Sequence, residues 1–347
     1  MNITTAGLDL AKNVFQVHGV DERGNAKLCK QLKRAQVLGF FANLPPCLIG
    51  MEACASAHFW ARKLSALGHT VKLIAPQFVK PYVKSNKHDA ADAEAICEAV
   101  ARPNMRFVPV KNPEQQALLG LHRARQGFVA ARTAQANQIR GLLAEFGIVF
   151  AKGIGCVTRK MPEVLEDAEN GLPGISRELF SRLFSHFREL DRQVKELEGQ
   201  IQAWHREDTA SLRLQAIPGI GPLTASALVA SIADARMFKN GRQMAAWLGL
   251  VPRQSSTGGK TQLLGISKRG DKYLRTLLIH GARSALWHQK SQGTPTQGWL
   301  KGLLTRRHRN IAAVALANKN ARIVWALLAH GREYQSGYIP AQAAAAA

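Results

Sequence analysis

Short apolar runs alternate with helical stretches over the first third of the chain. Ile3 to Leu10 and Val14 to Val20 are β-rich runs of strand length, and Lys27 to Lys30 makes a third strand after the turn-forming Glu22-Arg23-Gly24-Asn25. Leu48 to Met51 and Thr70 to Ile74 are short buried-strand candidates. Helical spacing near 35–43, 57–67 and 89–101 separates or follows them. The pattern predicts an α/β domain that opens with a β-meander.

The pattern changes at Pro113, which is well placed for a first helical turn. One long helix is expected over 113–147, with Leu121, Ala124, Phe128, Ala131 and Leu142 as its apolar seam. A Gly-rich interval follows, through Gly147, Gly153, Gly155, Gly171 and Gly174. Then Phe180, Leu183, Phe187, Leu190, Val194, Leu197, Ile201 and Trp204 alternate steps of three and four, a heptad seam. Heptads specify packing and not the partner, so the seam serves either an antiparallel hairpin with 113–147 or an oligomerisation arm. Beyond it lie Ile217-Pro218-Gly219-Ile220-Gly221, an Ala/Leu/Val-rich helix through Ile232, a basic Gly-rich segment from Pro252 to Arg275, and two apolar helical stretches. Ile311 to Leu328 is the most apolar, but Asn318, Lys319, Asn320 and Arg322 interrupt it, which suits a buried or interface helix rather than a membrane span. Ala341 to Ala347 reads as a frayed, low-complexity end. The expected organisation is an α/β domain over 1–108, a helical coiled-coil region over 109–207, a mainly α C-terminal domain over 208–335 and a flexible tail over 336–347.

Charge narrows the function. Lys and Arg number 47 against 24 Asp and Glu, for a net charge of +23 in 347 residues. Such an excess points to nucleic acid, with phosphate neutralisation supplying affinity. A ribosomal or membrane-surface protein shares the charge, but no basic amphipathic anchor is evident. The cysteines Cys29, Cys47, Cys54, Cys97 and Cys156 are odd in number and form no C-x-x-C pair. A reducing compartment is expected, with no disulfide framework and no zinc site. No secretory signal pattern opens the sequence, so a cytoplasmic, nucleoid-associated location is expected.

Four acids stand out against this background. Asp9 interrupts the apolar run Ala6-Gly7-Leu8-Asp9-Leu10-Ala11, and Glu52 follows Leu48-Ile49-Gly50-Met51 in the same way. Burying such a carboxylate is costly unless it meets a metal or a cation. Asp89 and Asp92 open a predicted helix three residues apart and so share one face, where the helix dipole favours anions. Taken alone, the pair reads as an N-cap, Asp89, and a first-turn acid, Asp92. Together with two strand-end acids it reads as an oxygen-only site for Mg²⁺ or Mn²⁺. Two such ions about 4 Å apart suit phosphodiester chemistry.

These residues also carry a resemblance. Gly7-Leu8-Asp9-Leu10-Ala11-Lys12, Gly50-Met51-Glu52-Ala53 and Lys87-His88-Asp89-Ala90-Ala91-Asp92-Ala93 resemble the RuvC-like (RNase H-fold) domain of DEDD insertion-sequence transposases. This is the "one-ten" family, and the chain looks closest to its "eleven-eleven" subgroup. The resemblance implies that Asp9, Glu52, Asp89 and Asp92 form the acidic tetrad. It further implies donor and target DNA as substrates, a structured noncoding bridge RNA that pairs with both, and a homo-oligomer built as a dimer of dimers.

The second half adds phosphate-binding candidates. The Pro218-Gly219-Ile220-Gly221 segment looks like a helix-hairpin-helix turn whose backbone N–H groups, at Gly219 and Gly221, can meet a phosphate; the plain alternative is a tight turn between packed helices. Arg253, Lys260, Lys268, Arg269 and Arg275 are further nucleic-acid candidates, with Lys84 and Lys87 beside the acidic pair. Arg123, Arg125, Arg132 and Arg140 line the first long helix, either to grip nucleic acid or to solvate its outer face. On composition alone, Pro252 to Lys260 is a flexible phosphate-binding loop. The resemblance adds a C-terminal transposase domain. Its Leu-Gly-Leu-x-Pro lead is matched by Leu248 to Pro252, and its Gly-x-Ile-Ser-Lys-x-Gly run by Gly265 to Gly270. Between them the family carries a nucleophilic serine followed by glycine. Here the loop reads Ser255-Ser256-Thr257-Gly258-Gly259, so Ser256 is the expected nucleophile, with Ser255 and Thr257 as alternatives. A serine hydroxyl needs activation, and no acid or His lies in this loop. A composite active site with the carboxylates is therefore expected.

The prediction is a transposase or site-specific recombinase of an insertion element, using metal-binding carboxylates and a serine nucleophile. It needs no ATP, and no Walker-type phosphate loop is present. The alternative is a metal-dependent structure-specific nuclease, such as a Holliday-junction resolvase, with water as nucleophile. A non-catalytic packaging protein would make no use of Asp9 or Glu52.

Overall fold

The structure, a computed structural model, describes residues 2–84, 86, 88–287 and 295–338, with side chains of the last stretch described from 298. Lys87 and the end segment Ala341 to Ala347 lie outside the described residues. The chain forms two compact units, Met1–Gln115 and Gln116–Ala347.

The first unit is a mixed sheet with helices on both faces. Its elements run β1 (Thr5–Asp9), β2 (Val14–Val20), β3 (Ala26–Lys33), α1 (Val37–Ala42), β4 (Leu48–Glu52), α2 (Ala57–Ala66), β5 (Thr70–Ile74), α3 (Pro76–Val79), α4 (Asp89–Val100) and β6 (Phe107–Val108). The strand order is β3-β2-β1-β4-β5-β6. The opening three strands form the expected antiparallel meander, then β4 and β5 add in parallel beside β1. The two-residue strand β6, which the sequence pattern does not announce, closes the edge antiparallel to β5. This arrangement is consistent with an RNase H-like fold.

Strand alternation divides the sheet's two faces. Ala6, Leu8, Ile49, Met51 and Leu73 share one core with Phe15, Val37, Phe41 and Trp60, under α1 and α2. The other face of β1 and β4 carries Gly7 and Gly50, directly paired in the parallel register. There α4 lies against the sheet backbone. A Cβ on Gly7 would overlap the Ala93 carbonyl and sit 2.5 Å from the Cys97 nitrogen, and one on Gly50 would sit 2.7 Å from Cβ of Val100. Ile74, Ala95, Ile96, Ala99 and Val100 fill the core on this side.

The second unit is mainly helical. It holds most of α5 (Pro113–Ala144), then α6 (Ile154–Glu166), α7 (Gly174–Glu207), α8 (Thr209–Gln215), α9 (Pro222–Ile232) and α10 (Gly241–Trp247). A hairpin of β7 (Pro252–Thr257) and β8 (Lys260–Ile266) precedes α11 (Lys272–Trp287), α12 (Pro295–Leu304) and α13 (Arg309–His330). The helix α5 turns a different face inward from the expected seam. Leu118, His122, Ala136, Ile139 and Leu143 are buried, whereas Ala124, Ala131 and Leu142 are exposed. The inward face is mixed because its charges are paired. Arg125 donates to Glu198 at 2.8 Å and Arg132 to Asp191, so α5 and α7 run antiparallel within the chain. Two of the arginines considered for nucleic acid are thereby committed to α7. Phe180, Phe187, Leu190, Val194 and Ile201 of the heptad seam are buried inside this single chain. The helix α6 fills part of the Gly-rich interval, and its Val157 and Met161 share one core with Ile139 and Phe184.

Among the described residues, α13 alone is long and apolar enough to cross a membrane by composition. One of its faces, including Ala313, Ala317, Ala321 and Val324, lies in the core of the second unit. On that face Asn320 donates to the Pro218 carbonyl at 2.9 Å.

Candidate active site and basic hairpin

The register decides where the first two acids stand. Leu8 pairs with Met51, so Asp9 and Glu52 end adjacent parallel strands, one residue further on. Both are two residues beyond a glycine that faces α4, so by alternation both point to the α4 side. Both are partly buried. On α4, Asp89 and Asp92 lie one helical turn before Ala93 and Ile96, the residues that rest on Gly7 and Gly50. Ala93 rests on Gly7 and Cys97 on Thr5, so α4 runs antiparallel to β1 and its start, with Asp89 and Asp92, is directed toward the strand ends that carry Asp9 and Glu52.

The helix cap differs from the expectation for Asp89. His88 is the N-cap, and its Nδ1 accepts from the Ala91 amide at 3.2 Å, while Asp89 is the first helical residue and exposed. Asp89 is thus not occupied in capping. Cys54, two residues past Glu52, was not anticipated beside these strand ends. Desolvation raises its thiol pKa, and the charges of Glu52 and then Asp9 raise it further. Both strand-end carboxylates therefore act on one point. Lys84 is exposed and bridges Glu94 at 3.3 Å and Glu98 at 3.0 Å, on the length of α4 beyond the acidic pair.

An all-carboxylate donor set suits a hard divalent ion, and half-buried strand ends are suitable places to hold one. Among the described residues, however, no three His, Cys, Asp or Glu side chains are already gathered closely enough to hold an ion. Chemistry and backbone placement fit a metal; the side chains have not converged on one.

In the second unit the expected flexible loop is a β-hairpin. Gly258 and Gly259 form its turn with φ of +54° and +76°, the left-handed values that glycine adopts freely. Ser256 pairs with Thr261, Ser255 with Gln262 and Thr257 with Lys260. Every residue of β7 is exposed. The Ser256 hydroxyl accepts from Nε2 of Gln254 at 2.7 Å. Ser255 and Thr257 project from the opposite face of the strand. Arg253, Lys260, Lys268 and Arg269 are all exposed along this hairpin and the segment after it.

Arg275 requires a correction. It is buried, and its Nη1 donates to the carbonyls of Leu248 at 3.1 Å and Arg269 at 3.0 Å. It locks the segment before the hairpin to the segment after it. Gly249 and Gly270 serve the same junction, since a Cβ on either would strike the backbone of Arg269 or Trp247. Gly219 is likewise a packing residue: a Cβ there would lie 2.6 Å from the Gly281 carbonyl oxygen. Gly221 is exposed, with open space at the Cβ position.

Comparison with known proteins gives a consistent picture. A family profile described as "Transposase IS116/IS110/IS902 family" matches residues 211–296, and a second, described as "Transposase", matches residues 6–148. The chain is 56% identical to the "Probable family 20 transposase" of Pseudomonas aeruginosa, over 97% of this chain and the whole of that protein. It is 46% identical to the "Transposase for insertion sequence element IS1328" of Yersinia enterocolitica, over 95% of this chain and 98% of the other. It is 44% identical to the "Transposase for insertion sequence element IS1111A" of Coxiella burnetii, over 97% and 92%.

Proposed function

This chain belongs to the IS116/IS110/IS902 family of insertion-sequence transposases, and on that premise we propose that it cuts and rejoins DNA strands with four carboxylates and a serine. It is a DNA transposase, of a family whose DEDD type implies a divalent metal ion and DNA substrates. Asp9, Glu52, Asp89 and Asp92 would hold the ion, Mg²⁺ or Mn²⁺. When bound, it would offset phosphate charge during the displacement.

The chain's own residues supply the remaining chemistry. The four acids, at half-buried strand ends and a helix start, would serve as the anionic ligands of the site. The Ser256 Oγ forms a bond to a scissile phosphorus as the bond from phosphorus to the leaving strand breaks. The serine proton passes to a base outside the hairpin, and the leaving strand departs with a hydroxyl. A hydroxyl of another strand then attacks the phosphoserine ester, restores the serine and joins the DNA. Ester energy is carried through, so no nucleotide triphosphate is consumed. Arg253, Lys260, Lys268 and Arg269 would hold the DNA backbone beside the serine. The same family reading extends to a guide RNA, a dimer of dimers, and action on the nucleoid in the cytoplasm.

The single observation that supports the reading best is the Gly7–Gly50 pair, which lets α4 lie against the backbone of the two strands that end in Asp9 and Glu52. The test is a covalent-adduct gel with purified protein, Mg²⁺, the family-type RNA and labelled donor and target DNA. A protein-linked DNA band, lost in both Ser256→Ala and Asp9→Ala, is the expected result. Metal-dependent nicking that Ser256→Ala leaves unchanged, with no adduct, would replace the serine with water. An adduct that survives Ser256→Ala would move the nucleophile to Ser255 or Thr257.

A further inference from the structure

The second unit carries a groove of about 1800 Å³ that none of the chemistry above uses. Its floor is the outward face of α13, including Val314, Ala315 and Asn318. One wall is Leu263 to Ile266 of β8, and another is the start of α10. Leu263 is 65% exposed there, so the groove is open.

The charge of the groove is one-sided. Arg242, Arg307, Lys319, Arg322 and Arg332 line it, while Glu333 is the one acid among its described lining residues. Glu333 is engaged by Arg213, whose Nε lies at 3.0 Å. Lys319 and Arg322 are three apart on α13 and so share a face. Burial, and then the charge of Arg322, hold the Lys319 ammonium below its ordinary pKa. An anion placed between them would offset the mutual repulsion of the two cations.

Aromatic rings stand among these cations. The Lys319 ammonium sits 4.9 Å from the centre of the Trp299 ring. Trp299 is 39% exposed and Tyr338 59% exposed, so ring surface is open to a ligand. Several cations in one groove, with open ring surface and small apolar side chains beside them, suit a backbone of phosphates with unstacked bases. A duplex offers its phosphates but hides its base faces. A neutral or basic peptide has no call for five cations, and an acidic one has no bases to set against the open rings.

We propose that this groove binds a single-stranded segment of nucleic acid, with its phosphates on Arg242, Arg307, Lys319 and Arg322 and its bases against Trp299 and Tyr338. The proposal rests on the transposase reading only for the class of partner; neither the four acids nor Ser256 is among the lining residues of the groove.

The test is fluorescence anisotropy with the full chain in EDTA, where no cleavage is read. Probes are a labelled oligodeoxynucleotide of about 15 nucleotides, the same sequence as RNA, and its duplex. The Lys319→Gln/Arg322→Gln protein should bind single strands at least about tenfold more weakly at fixed salt, with a salt slope shallower by about 1.4. Trp299→Ala should lose at least about fivefold. Duplex binding should stay within about twofold of the parent, as should single-strand binding by Arg23→Gln, a charge control in the β2–β3 turn. Unchanged single-strand affinity in the first two variants, or equal losses on the duplex, would overturn the proposal. If the double variant melts early, photo-crosslinking of a thiothymidine oligonucleotide to the parent protein decides. Crosslinks at Trp299 or Tyr338 support the groove, and crosslinks solely elsewhere overturn it. The stronger of the DNA and RNA arms identifies the natural strand. Asp9→Ala should keep this binding, so a failed adduct assay with intact groove binding would count against the cleavage chemistry alone.

Discussion

His122 shows what a single buried polar residue does in this chain. It is 1% exposed, its Nδ1 lies 3.0 Å from the Tyr273 hydroxyl and its Nε2 3.1 Å from the Ser226 hydroxyl. It therefore ties α5 to α9 and α11. Burial, and then the charge of Arg125, lower its pKa to about 4. The neutral ring is the native form, and the unfolded chain protonates near the ordinary value of 6.5. The folded pKa is the lower one, so the unfolded state binds more protons between these values. Stability from this ring is full above the unfolded pKa and lost as pH falls toward about 4, by about 3 kcal/mol. Urea unfolding across that window should show the loss, and His122→Gln should remove about that much of the slope. An unchanged slope in His122→Gln would mean that the ring is not buried neutral. Arg275→Ala belongs to the same scale. It strands the carbonyls of Leu248 and Arg269 and should cost about 3 kcal/mol by the same measurement.

At the scale of elements, α4 and the β7–β8 hairpin matter most. The Gly7→Ala change forces a methyl into the backbone of α4 and should destabilise the first unit by about 2 kcal/mol or more. It should also lower cleavage beyond what unfolding accounts for, because Asp89 and Asp92 move with the helix. Near-parental cleavage at full folding would separate the acids from the helix approach. In the hairpin, Gly258→Ala with Gly259→Ala opposes two left-handed residues at roughly 1–2 kcal/mol each. Hydrogen exchange should then quicken over β7 and β8 alone, and adduct formation should fall; an unaffected adduct would show that the serine needs no hairpin.

These elements also show what was legible in the sequence. Strands β1, β2, β4 and β5 were readable because they are short apolar runs, and Asp9 and Glu52 were readable because they interrupt or end those runs. The hairpin was not: Gln254 to Thr257 is polar on both faces, so no alternation marks it as a strand. The inward face of α5 was hidden because His122 is buried, and Arg125 and Arg132 half-buried, with partners far along the chain. Hydropathy assigns such residues to solvent. The helix α6 was masked by Gly153, Gly155 and the internal Pro162.

At the scale of the molecule, a net charge of +23 sits on a chain whose candidate chemistry is acidic. Overall nucleic-acid binding should therefore weaken steeply with salt. Chelation of divalent metal should abolish cleavage and leave that binding in place. A parallel loss of both would mean that the metal holds the fold. The central claim is that acids from two strands and one helix make a single metal site. Mn²⁺ binding to the full chain, followed by calorimetry and electron paramagnetic resonance, tests it most directly. Asp9→Asn, Glu52→Gln, Asp89→Asn and Asp92→Asn should each weaken binding by about tenfold or more, with melting temperature retained, since affinity follows ligand charge. Parental Mn²⁺ binding in Asp89→Asn and Asp92→Asn would contradict the account, because the helix acids would then not belong to the site.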